Sequence, residues 1–425
     1  MKGVDVLALQ GLDRQYLLHP FTDPQELHRQ GTHIITEGRG CWLRDAEGRE
    51  LLDALAGLWC VQVGYGRREI LEAVRAQMER LPYYSSFFQT TTIPTIELAA
   101  RLVSLAPPRI SHCFFSSSGS EANETALKII RRYWLLHNQP QKTVILSRAY
   151  AYHGVTLATA SLTGLEACRD PFGLPLADFV QIPAPYRRDG QACLQETEAI
   201  IQKTGPERIG ALFVEPVQGA GGVILPPPGY VQGLRELCRR YGILVVADEV
   251  ITGFGRLGQW FASAELDPDL ITVAKGLTSG YLPMSATLIS REIAADLISA
   301  GVFSHGFTYG GHPVCAAAAL ANLEILERER LIERVHSDIG PYLQAALRPL
   351  ADHPLVAEVR GQGLIAAIEL RNHSGSRAAA VARQEGVIVR GIRDLIALAP
   401  PLVISYGEVD GLVAALGRVL DRLGD

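Results

Sequence analysis

The sequence predicts an α/β protein in which a large domain with a mostly parallel central sheet is joined to a smaller α+β domain. Short apolar runs rich in β-branched residues alternate with longer segments of helical period, and this alternation is typical of strands connected by crossover helices. After about residue 310 the pattern changes to long helical segments with a few strands between them. The length of 425 residues suits two or three domains of about 150 residues each.

The composition excludes several classes of protein. Hydrophobic residues make up 48% and charged residues 20% of the chain, as in ordinary globular proteins. The net charge of -5, without a basic run, argues against a nucleic-acid partner. The 7 cysteines are widely spaced and form no CxxC pair, which predicts neither a disulfide framework nor a metal site and favours reduced thiols in the cytoplasm. We also expect no signal peptide and no membrane insertion, because no stretch approaches about 18 uninterrupted apolar residues.

Three segments follow one another along the chain. Residues 1–55, which include the hairpin-like stretch GCWLRDAEGRELLD, are expected to form an N-terminal segment that packs with the small domain. Residues 56–309 are expected to form the large domain, and residues 310–425 the C-terminal small domain.

A serine-glycine turn precedes the first long helix of the predicted large domain, in FFSSSGSEANETALKIIRRYW. Ser118 and Glu121 have the spacing of a capping box. The free amide groups of a helix start, together with the hydroxyls of residues 116–120, form a suitable site for a phosphate dianion. Ordinary helix capping explains one serine equally well, so the turn alone leaves both interpretations open.

Four apolar runs predict the central strands, and three of them end in a charged residue. Glu215, Asp248 and Lys275 occupy these ends. Ligands of open α/β sheets lie at the carboxyl ends of strands, so the three side chains could meet in one cleft. The alternative is three unrelated surface charges at the starts of loops. The four runs are TVILS (143–147), IGALFVEP (209–216), GILVVADE (242–249) and DLITVAK (269–275).

Residues 253–258, GFGRLG, match the G-x-G-x-x-G pattern of dinucleotide-binding proteins. That fingerprint requires the glycines to follow a strand at once and to open a helix. Asp248 to Thr252 intervene here, and the residues that follow do not begin a convincing helix. The pattern is therefore a weak indication of nicotinamide chemistry.

The C-terminal third predicts two long helices with strands between them. HPVCAAAALANLEILERERLIERV is expected to be one helix, and VAEVRGQGLIAAIEL and GVIVRGIRDLIALAP supply the strands. The final stretch, VDGLVAALGRVLDRLG, predicts a helix with one apolar face. That face comprises Val409, Leu412, Val413, Leu416, Val419, Leu420 and Leu423.

Lysine is rare in this chain, which makes Lys275 a candidate for chemistry. The other lysines are Lys2, Lys128, Lys142 and Lys203, and each is expected to be a solvated charge. Lys275 lies among small residues at the end of a strand, where it could lose its proton and attack a carbonyl to form a Schiff base. A capping or salt-bridging lysine is the alternative.

Asp248 could serve the same chemistry, because a buried carboxylate at a strand end needs a cationic partner. The protonated ring nitrogen of pyridoxal phosphate is one such partner, and a cationic ring is a stronger electron sink. Lys275, Asp248 and the serine-glycine turn together therefore predict a site for one cofactor, pyridoxal 5'-phosphate.

At this point the chain resembles a known family, the class III, fold-type I, pyridoxal-phosphate-dependent aminotransferases, and within it the ω-amine:pyruvate group. The matching stretches span nearly the whole chain in the family's order. They are LHPFTD, LAGLWCVQVGYGR, SSSGSEANET, AYHG, VEPVQGAGG, ADEVITGFGR, AKGLTSGYLP and GFTYGGHPVCAAA.

The resemblance implies a role for each residue of the cofactor site. Lys275 forms the Schiff base and shuttles the proton, Asp248 pairs with the ring nitrogen, and Tyr152 stacks on the ring; these are the expected catalytic residues. Glu215 supports the site near its entrance. The other residues implied to bind the cofactor are Ser118, Gly119, Ser120, His153, Val250 and Thr308.

Two of these residues carry further implications. Thr308 would complete the phosphate site from a second subunit, so the resemblance implies a homodimer with active sites at the interface. His153, like His312, is expected to be structural rather than a general base, because a lysine shuttle needs no histidine.

The resemblance also implies a substrate pocket. Phe21, Trp59 and Tyr152 would line it, with Phe87 or Phe88 contributed by the neighbouring subunit. Arg390 matches a mobile arginine that binds the carboxylate of pyruvate and swings aside for amines without one, a task that suits a guanidinium fork. Arg393 is the alternative for this role.

The predicted reaction moves an amino group from a primary amine or ω-amino compound to pyruvate in two half-reactions. The alternatives are another class III reaction (an amino-acid aminotransferase, an aminomutase or a decarboxylase), an NAD(P)-dependent oxidoreductase and a non-catalytic binding protein. The donor stays open among diamines, β-alanine, taurine and aryl-alkylamines. No metal is expected to take part.

Overall fold

The protein is described by a computed structural model over residues 5–424, so Lys2 lies outside the described residues. No helix within that range is long and apolar enough to cross a bilayer. The α-helices are α1 (Val6–Tyr16), α2 (Pro24–Gln30), α3 (Ala56–Trp59), α4 (Arg68–Arg80), α5 (Ile93–Leu105), α6 (Gly119–Leu136), α7 (Leu157–Leu162), α8 (Gly190–Thr204), α9 (Tyr230–Tyr241), α10 (Arg291–Ser299), α11 (Pro313–Arg328), α12 (Leu331–Ser337), α13 (Ile339–Leu347), α14 (Gly375–Gln384) and α15 (Tyr406–Gly424).

The strands form three sheets. They are β1 (Ile35–Arg39), β2 (Trp42–Asp45), β3 (Glu50–Asp53), β4 (Ile110–Ser116), β5 (Val144–Arg148), β6 (Phe179–Ile182), β7 (Ile209–Val214), β8 (Leu244–Asp248), β9 (Leu270–Val273), β10 (Ser285–Ser290), β11 (Val356–Gln362), β12 (Ile365–Leu370), β13 (Val387–Ile388), β14 (Arg390–Ile392) and β15 (Leu395–Leu398).

The central sheet has seven strands in the order β4-β10-β9-β8-β7-β5-β6. The strands from β9 to β6 are parallel, whereas β10 is antiparallel to both β4 and β9. This confirms the mostly parallel sheet, and all four predicted runs are strands within it. Helix α6 covers one face, and α8 and α9 cover the other, so the strands are apolar on both sides.

The N-terminal segment forms a separate sheet in the order β1-β2-β3-β13. Strands β2 and β3 form the predicted hairpin, and β3 pairs in parallel with β13 from the C-terminal third of the chain. The third sheet, β11-β12-β15-β14, is antiparallel and lies wholly within that third. The domain boundaries at 55/56 and 309/310 stay a prediction.

The prediction of one long helix over residues 312–335 is wrong, because the structure has two helices there. Arg330 adopts a left-handed backbone conformation with φ 52°, which separates α11 from α12. The break lets Leu331, Ile332 and Val335 turn into the core. The final helix α15 buries the predicted apolar face, except that Val413 is only partly buried.

Lys142 is not the solvated charge expected from the sequence. Its ammonium group donates to the carbonyl oxygens of Ile209 (3.2 Å) and Gly242 (2.7 Å) and lies 4.2 Å from the ring centre of Trp134. These partners replace water, so a mostly buried lysine is tolerated. Lys128 and Lys203 are exposed, as expected.

The GFGRLG stretch forms buried turns and does not open a helix. The guanidinium group of Arg256 donates to the carbonyl oxygens of Leu364 (2.9 Å) and Pro400 and to the side chain of Gln62. The stretch therefore connects the part of the chain that forms the central sheet to the C-terminal third by hydrogen bonds, and it does not form a dinucleotide site.

Candidate active site

A cavity of about 290 Å³ lies at the carboxyl edge of the central sheet. Glu215 follows β7, Asp248 ends β8, and Lys275 follows β9. These are adjacent parallel strands, so their ends bring the three side chains into one cavity. The alternative of three unrelated surface charges is wrong, since only 4% of Glu215 and 4% of Asp248 is exposed.

Lys275 begins a short helical turn directly after β9, with a left-handed φ of 40°. Burial lowers the pKa of its amine, while Cys60, Asp248 and Glu215 act in the opposite direction. The amine lies 6.0 Å from the ring centre of Trp59. A lowered pKa raises the fraction of amine with a free electron pair, which a nucleophile or a base requires.

The carboxylate of Asp248 is held by three donors. Its Oδ2 atom accepts a hydrogen bond from the side-chain amide of Asn123 (2.9 Å) and lies 2.8 Å from Nδ1 of His153. Its Oδ1 atom accepts from the backbone amide of Val250 (3.1 Å). The His153 ring therefore orients Asp248, a structural role, and it also lines the cavity.

The sequence pattern does not single out Asn123, yet it is central to the site. Besides Asp248, its amide donates to the carbonyl oxygen of His153 (2.8 Å), and its Oδ1 atom accepts from the hydroxyl of Thr272 (2.9 Å). The available signal was its place on α6, one turn after the serine-glycine turn, where a side chain faces the same edge of the sheet.

Glu215 is a buried carboxyl group that two backbone amides hold in place. Its oxygens accept from Tyr152 (3.1 Å) and Gly219 (3.2 Å). Burial raises its pKa to about 7, and the nearby negative charge of Asp248 adds to the rise. Glu215 therefore changes its charge close to neutral pH.

The serine-glycine turn forms the start of α6 but only half of the expected capping box. Ser118 Oγ accepts from the amide of Glu121 (3.2 Å), whereas the Glu121 carboxylate accepts from the amide of Ser117 (2.6 Å) instead of Ser118. Gly119 and Ser120 line the cavity, and Ser118 is committed to the cap. An added Cβ at Gly119 would lie 3.2 Å from the Val250 side chain, so the close approach favours glycine.

The opposite wall is apolar apart from one guanidinium group. Phe21, Trp59 and Tyr152 line it as expected, with Arg390 among them. The sequence pattern does not single out four further lining residues, because they lie in irregular segments or apolar runs without a chemical signature. These are Leu58, Leu165, Cys168 and Ala220.

Arg390 and Arg393 have different surroundings. Arg390 faces the cavity 5.5 Å from the ring centre of Trp59, and its buried Nε has no hydrogen-bond partner within residues 5–424. Burial lowers its pKa. Arg393 instead donates to the carbonyl oxygen of Gly221 (2.7 Å) and lies 4.9 Å from the ring centre of Tyr150.

Phe87, Phe88 and Thr308 are not brought to this cavity within one chain. Phe87 and Phe88 line a second, open groove of about 980 Å³, together with residues 302–307. Phe88 is 92% exposed. Thr308 follows this segment, and its carbonyl oxygen accepts from the hydroxyl of Tyr83 (2.7 Å).

Comparison with known proteins places this arrangement in a family. The family model described as "Aminotransferase class-III" matches residues 25–420. A putrescine--pyruvate aminotransferase from Pseudomonas aeruginosa is 43% identical over 436 residues, which cover 97% of this chain and 96% of that protein. A thermostable (S)-enantioselective omega-transaminase from Thermomicrobium roseum superposes with a TM-score of 0.96 at 43% identity and covers 99% of this chain and 100% of its own. For the omega-transaminase from Pseudomonas jessenii the TM-score is 0.94 at 38% identity, with 98% of each chain covered.

The fold and the cavity are those of a fold-type I enzyme, in which a lysine and an aspartate meet at the edge of a mostly parallel sheet. The chain belongs to the class III aminotransferases. It is a pyridoxal-phosphate-dependent transaminase, so the oxidoreductase and the non-catalytic alternatives are wrong.

Proposed function

We propose that this transaminase moves an amino group from a primary amine or ω-amino compound to pyruvate. One observation carries the proposal: Arg390, a partly buried arginine whose Nε atom has no hydrogen-bond partner in residues 5–424, lines the cavity that holds Lys275. A guanidinium fork binds a carboxylate with two parallel hydrogen bonds. The apolar wall beside it suits the organic group of an amine.

The residues of the cavity fit pyridoxal phosphate. When bound, the cofactor supplies an aldehyde that reacts with amines and a conjugated ring that takes up electrons. Lys275 would hold the aldehyde carbon, and Asp248 would face the ring nitrogen. Gly119, Ser120 and the free amides at the start of α6 would hold the phosphate. The fit rests on the Asp248 carboxylate, which is buried and fixed by three donors at the cavity wall.

Each side chain of the cavity then has a separate role in the proposed reaction. Lys275 Nζ accepts and returns the proton of the substrate carbon, a role that its lowered pKa supports. Asn123 and His153 hold the side chain of Asp248 in place. Tyr152 would pack beside the ring, and Glu215 fixes the backbone of Tyr152.

Arg390 distinguishes the two substrates. It binds the carboxylate of the keto acid, and it leaves the aromatic wall to an amine that lacks a carboxylate. Relatives named putrescine--pyruvate aminotransferase and omega-transaminase support the amine donor and the pyruvate acceptor. Arg390 together with the aromatic wall favours transfer to pyruvate over the reactions of an aminomutase or a decarboxylase.

We also propose a homodimer. The groove lined by Phe87 and Phe88 is open, and the segment 302–308 beside it carries Thr308. A second copy on this groove would bring Thr308 and the two phenylalanines to the neighbour's cavity, where the phosphate and the substrate bind. The cytoplasmic location stays a prediction.

The test starts with purified holoenzyme, an amine donor and pyruvate, with alanine as the measured product. Borohydride reduction followed by peptide mass spectrometry should find the cofactor on Lys275, and a cofactor found on another residue would refute the assignment. Lys275→Ala and Asp248→Asn should each lower kcat by at least about 10²-fold.

Glu249→Gln is the matched control for Asp248→Asn. Glu249 is the next residue and equally buried, but its oxygens accept from Thr252 and from the amide of Ser263 (2.7 Å), away from the cavity. It should keep kcat within about threefold while changing stability. Equal losses in the two variants would show that Asp248 acts only through folding.

A further inference from the structure

A short loop, residues 218–224, forms part of the cavity wall, and we call it the wall loop. Gln218 and Ile224 close it with two backbone hydrogen bonds of 3.2 and 3.0 Å. Ala220 lines the cavity, and the amide of Gly219 donates to Glu215 (3.2 Å). The position of this loop therefore sets both the cavity wall and the Glu215 carboxyl group.

Two arginines of the C-terminal third hold the wall loop by its carbonyl oxygens. Arg393 donates to Gly221 (2.7 Å). Arg360, on β11, donates to Gly222 (2.7 Å) and to Val223 (3.1 Å). Charged donors form stronger hydrogen bonds to carbonyl oxygens than neutral donors do, so these contacts fix the loop more firmly than a backbone turn alone.

A buried carboxylate balances this cationic cluster. Glu369 is fully buried on β12 and accepts from Arg360 (2.5 Å) and from the hydroxyl of Tyr186 (2.9 Å). Arg187 also pairs with it, although that side chain is 57% exposed. Arg360 and Arg393 stack near the Tyr186 ring, at 5.3 and 5.4 Å from its centre.

The wall loop requires glycine where the arginines approach. A Cβ on Gly221 would lie 2.2 Å from the carbonyl oxygen of Tyr150. Gly222 has φ +123°, and a Cβ there would lie 3.1 Å from the guanidinium group of Arg393. The carbonyl oxygens of both residues thus point at the arginines with no side chain in between.

The hydrogen bond between Arg393 and Gly221 also bears on Arg390, because a short strand connects the two arginines. Arg390 begins β14, and Arg393 directly follows the end of that strand. Strand β14 pairs with β15 from Arg390↔Ala397 to Ile392↔Leu395. An anchor at Arg393 therefore fixes the far end of a three-residue strand that presents Arg390 to the cavity.

We infer that Arg393 and Arg360 are positioning residues that set the preference for a carboxylate-bearing acceptor. They lock the wall loop to the sheet that carries Arg390, so the guanidinium fork of Arg390 meets the acceptor carboxylate in one orientation. A guanidinium group that binds a carboxylate through two hydrogen bonds must be placed accurately. A displacement of about 1 Å can lower the rate of the reaction about 10²-fold. This inference rests on the proposed function of Arg390.

The experiment compares two acceptors in the holoenzyme with one amine donor: pyruvate, which has a carboxylate, and a small aldehyde such as propanal, which has none. The measured quantity is the ratio of kcat/KM for pyruvate to kcat/KM for the aldehyde. Arg393→Met keeps an apolar stem between the tyrosines and removes the donor to Gly221. We expect the ratio to fall at least about fivefold, mainly through KM for pyruvate.

Arg187→Met is the matched control, since Arg187 contacts Glu369 and Tyr186 but donates to no wall-loop carbonyl. Its ratio should stay within twofold of the parent. A ratio within twofold for Arg393→Met, including a parallel loss for both acceptors, would overturn the inference. If Arg393→Met yields no holoenzyme, Arg393→Leu, which also removes the donor to Gly221, decides by the same twofold limit.

Arg390→Ala separates this inference from the proposed function. If Arg390→Ala lowers the ratio and Arg393→Met does not, only the positioning role fails. If Arg390→Ala leaves the ratio unchanged, the proposed acceptor site itself fails, and the positioning role fails with it.

Discussion

Asp248 and Glu249 are consecutive acids at the end of β8 that face opposite sides of the sheet. Asp248 points into the cavity, while Glu249 accepts hydrogen bonds from Thr252 and Ser263 on the other side. Burial raises the pKa of Glu249. Three hydrogen-bond donors fix the position of the Asp248 carboxylate. Alternation along a strand thus gives two identical chemical groups different roles.

Glu215 makes the stability of the cofactor-free chain depend on pH. The pKa of Glu215 is about 7 in the folded protein and 4.5 in its ordinary, solvent-exposed state. Between these two pH values the folded chain therefore binds more protons than the unfolded chain. The free energy of unfolding should therefore fall as pH rises from about 4.5 to 7, by on the order of 3 kcal/mol from this group. Urea unfolding of the cofactor-free protein at pH 5 and pH 7.5 measures the change.

Glu215→Gln should remove this part of the pH dependence, because an amide does not titrate. Glu79→Gln, on the exposed face of α4 with 68% of the side chain exposed, should leave the pH dependence as it is. A wild-type curve that runs parallel to the Glu215→Gln curve over this range would contradict the prediction.

Helix α6 and the turn after Tyr152 pack closely together at the end of the cavity where we propose that the phosphate binds. Gly154 has φ +137°, and a Cβ there would lie 2.6 Å from Ser120 Oγ and 2.5 Å from Thr159 Oγ1. Ser120 Oγ also accepts from the amide of Val155 (3.1 Å). The start of α6 is thus held from the side by a neighbouring turn.

Gly154→Ala should displace Ser120 and weaken cofactor binding by about tenfold, which corresponds to about 1.4 kcal/mol. Titration of the apoenzyme with pyridoxal phosphate, followed by absorbance, gives the dissociation constant. Gly417→Ala is the control, because nothing lies within 4 Å of its added Cβ on α15. Unchanged affinity in Gly154→Ala would show that this contact does not shape the phosphate end.

The elements differ in how far the sequence predicts them. The strands β7 and β8 are continuous apolar runs that end in acids, so their positions and the cavity at their ends follow from pattern and sheet geometry. The break at Arg330 has no such signal, because a left-handed residue other than glycine or asparagine depends on tertiary packing. Asn123 and the burial of Lys142 depend on partners distant in sequence, which periodicity does not report.

At the scale of the whole molecule, the single chain leaves an open apolar groove beside the segment that carries Thr308. In the proposed homodimer a second copy covers this groove, so charge placed there should separate the subunits. Phe88→Glu should give a monomer at micromolar concentration in sedimentation velocity, with a large loss of transaminase activity. Leu135→Glu, 55% exposed at the far end of α6, should remain dimeric and active. A dimeric, fully active Phe88→Glu variant would contradict the proposed interface.

Strand β4 has consequences for synthesis on the ribosome. Within the described residues its single strand partner is β10, whose residues 285–290 follow about 170 positions later. At roughly 5–20 residues per second, the nascent β4 waits on the order of ten to thirty seconds for its partner. The backbone groups of β4 lack a strand partner throughout that interval, which leaves them open to pairing with another chain.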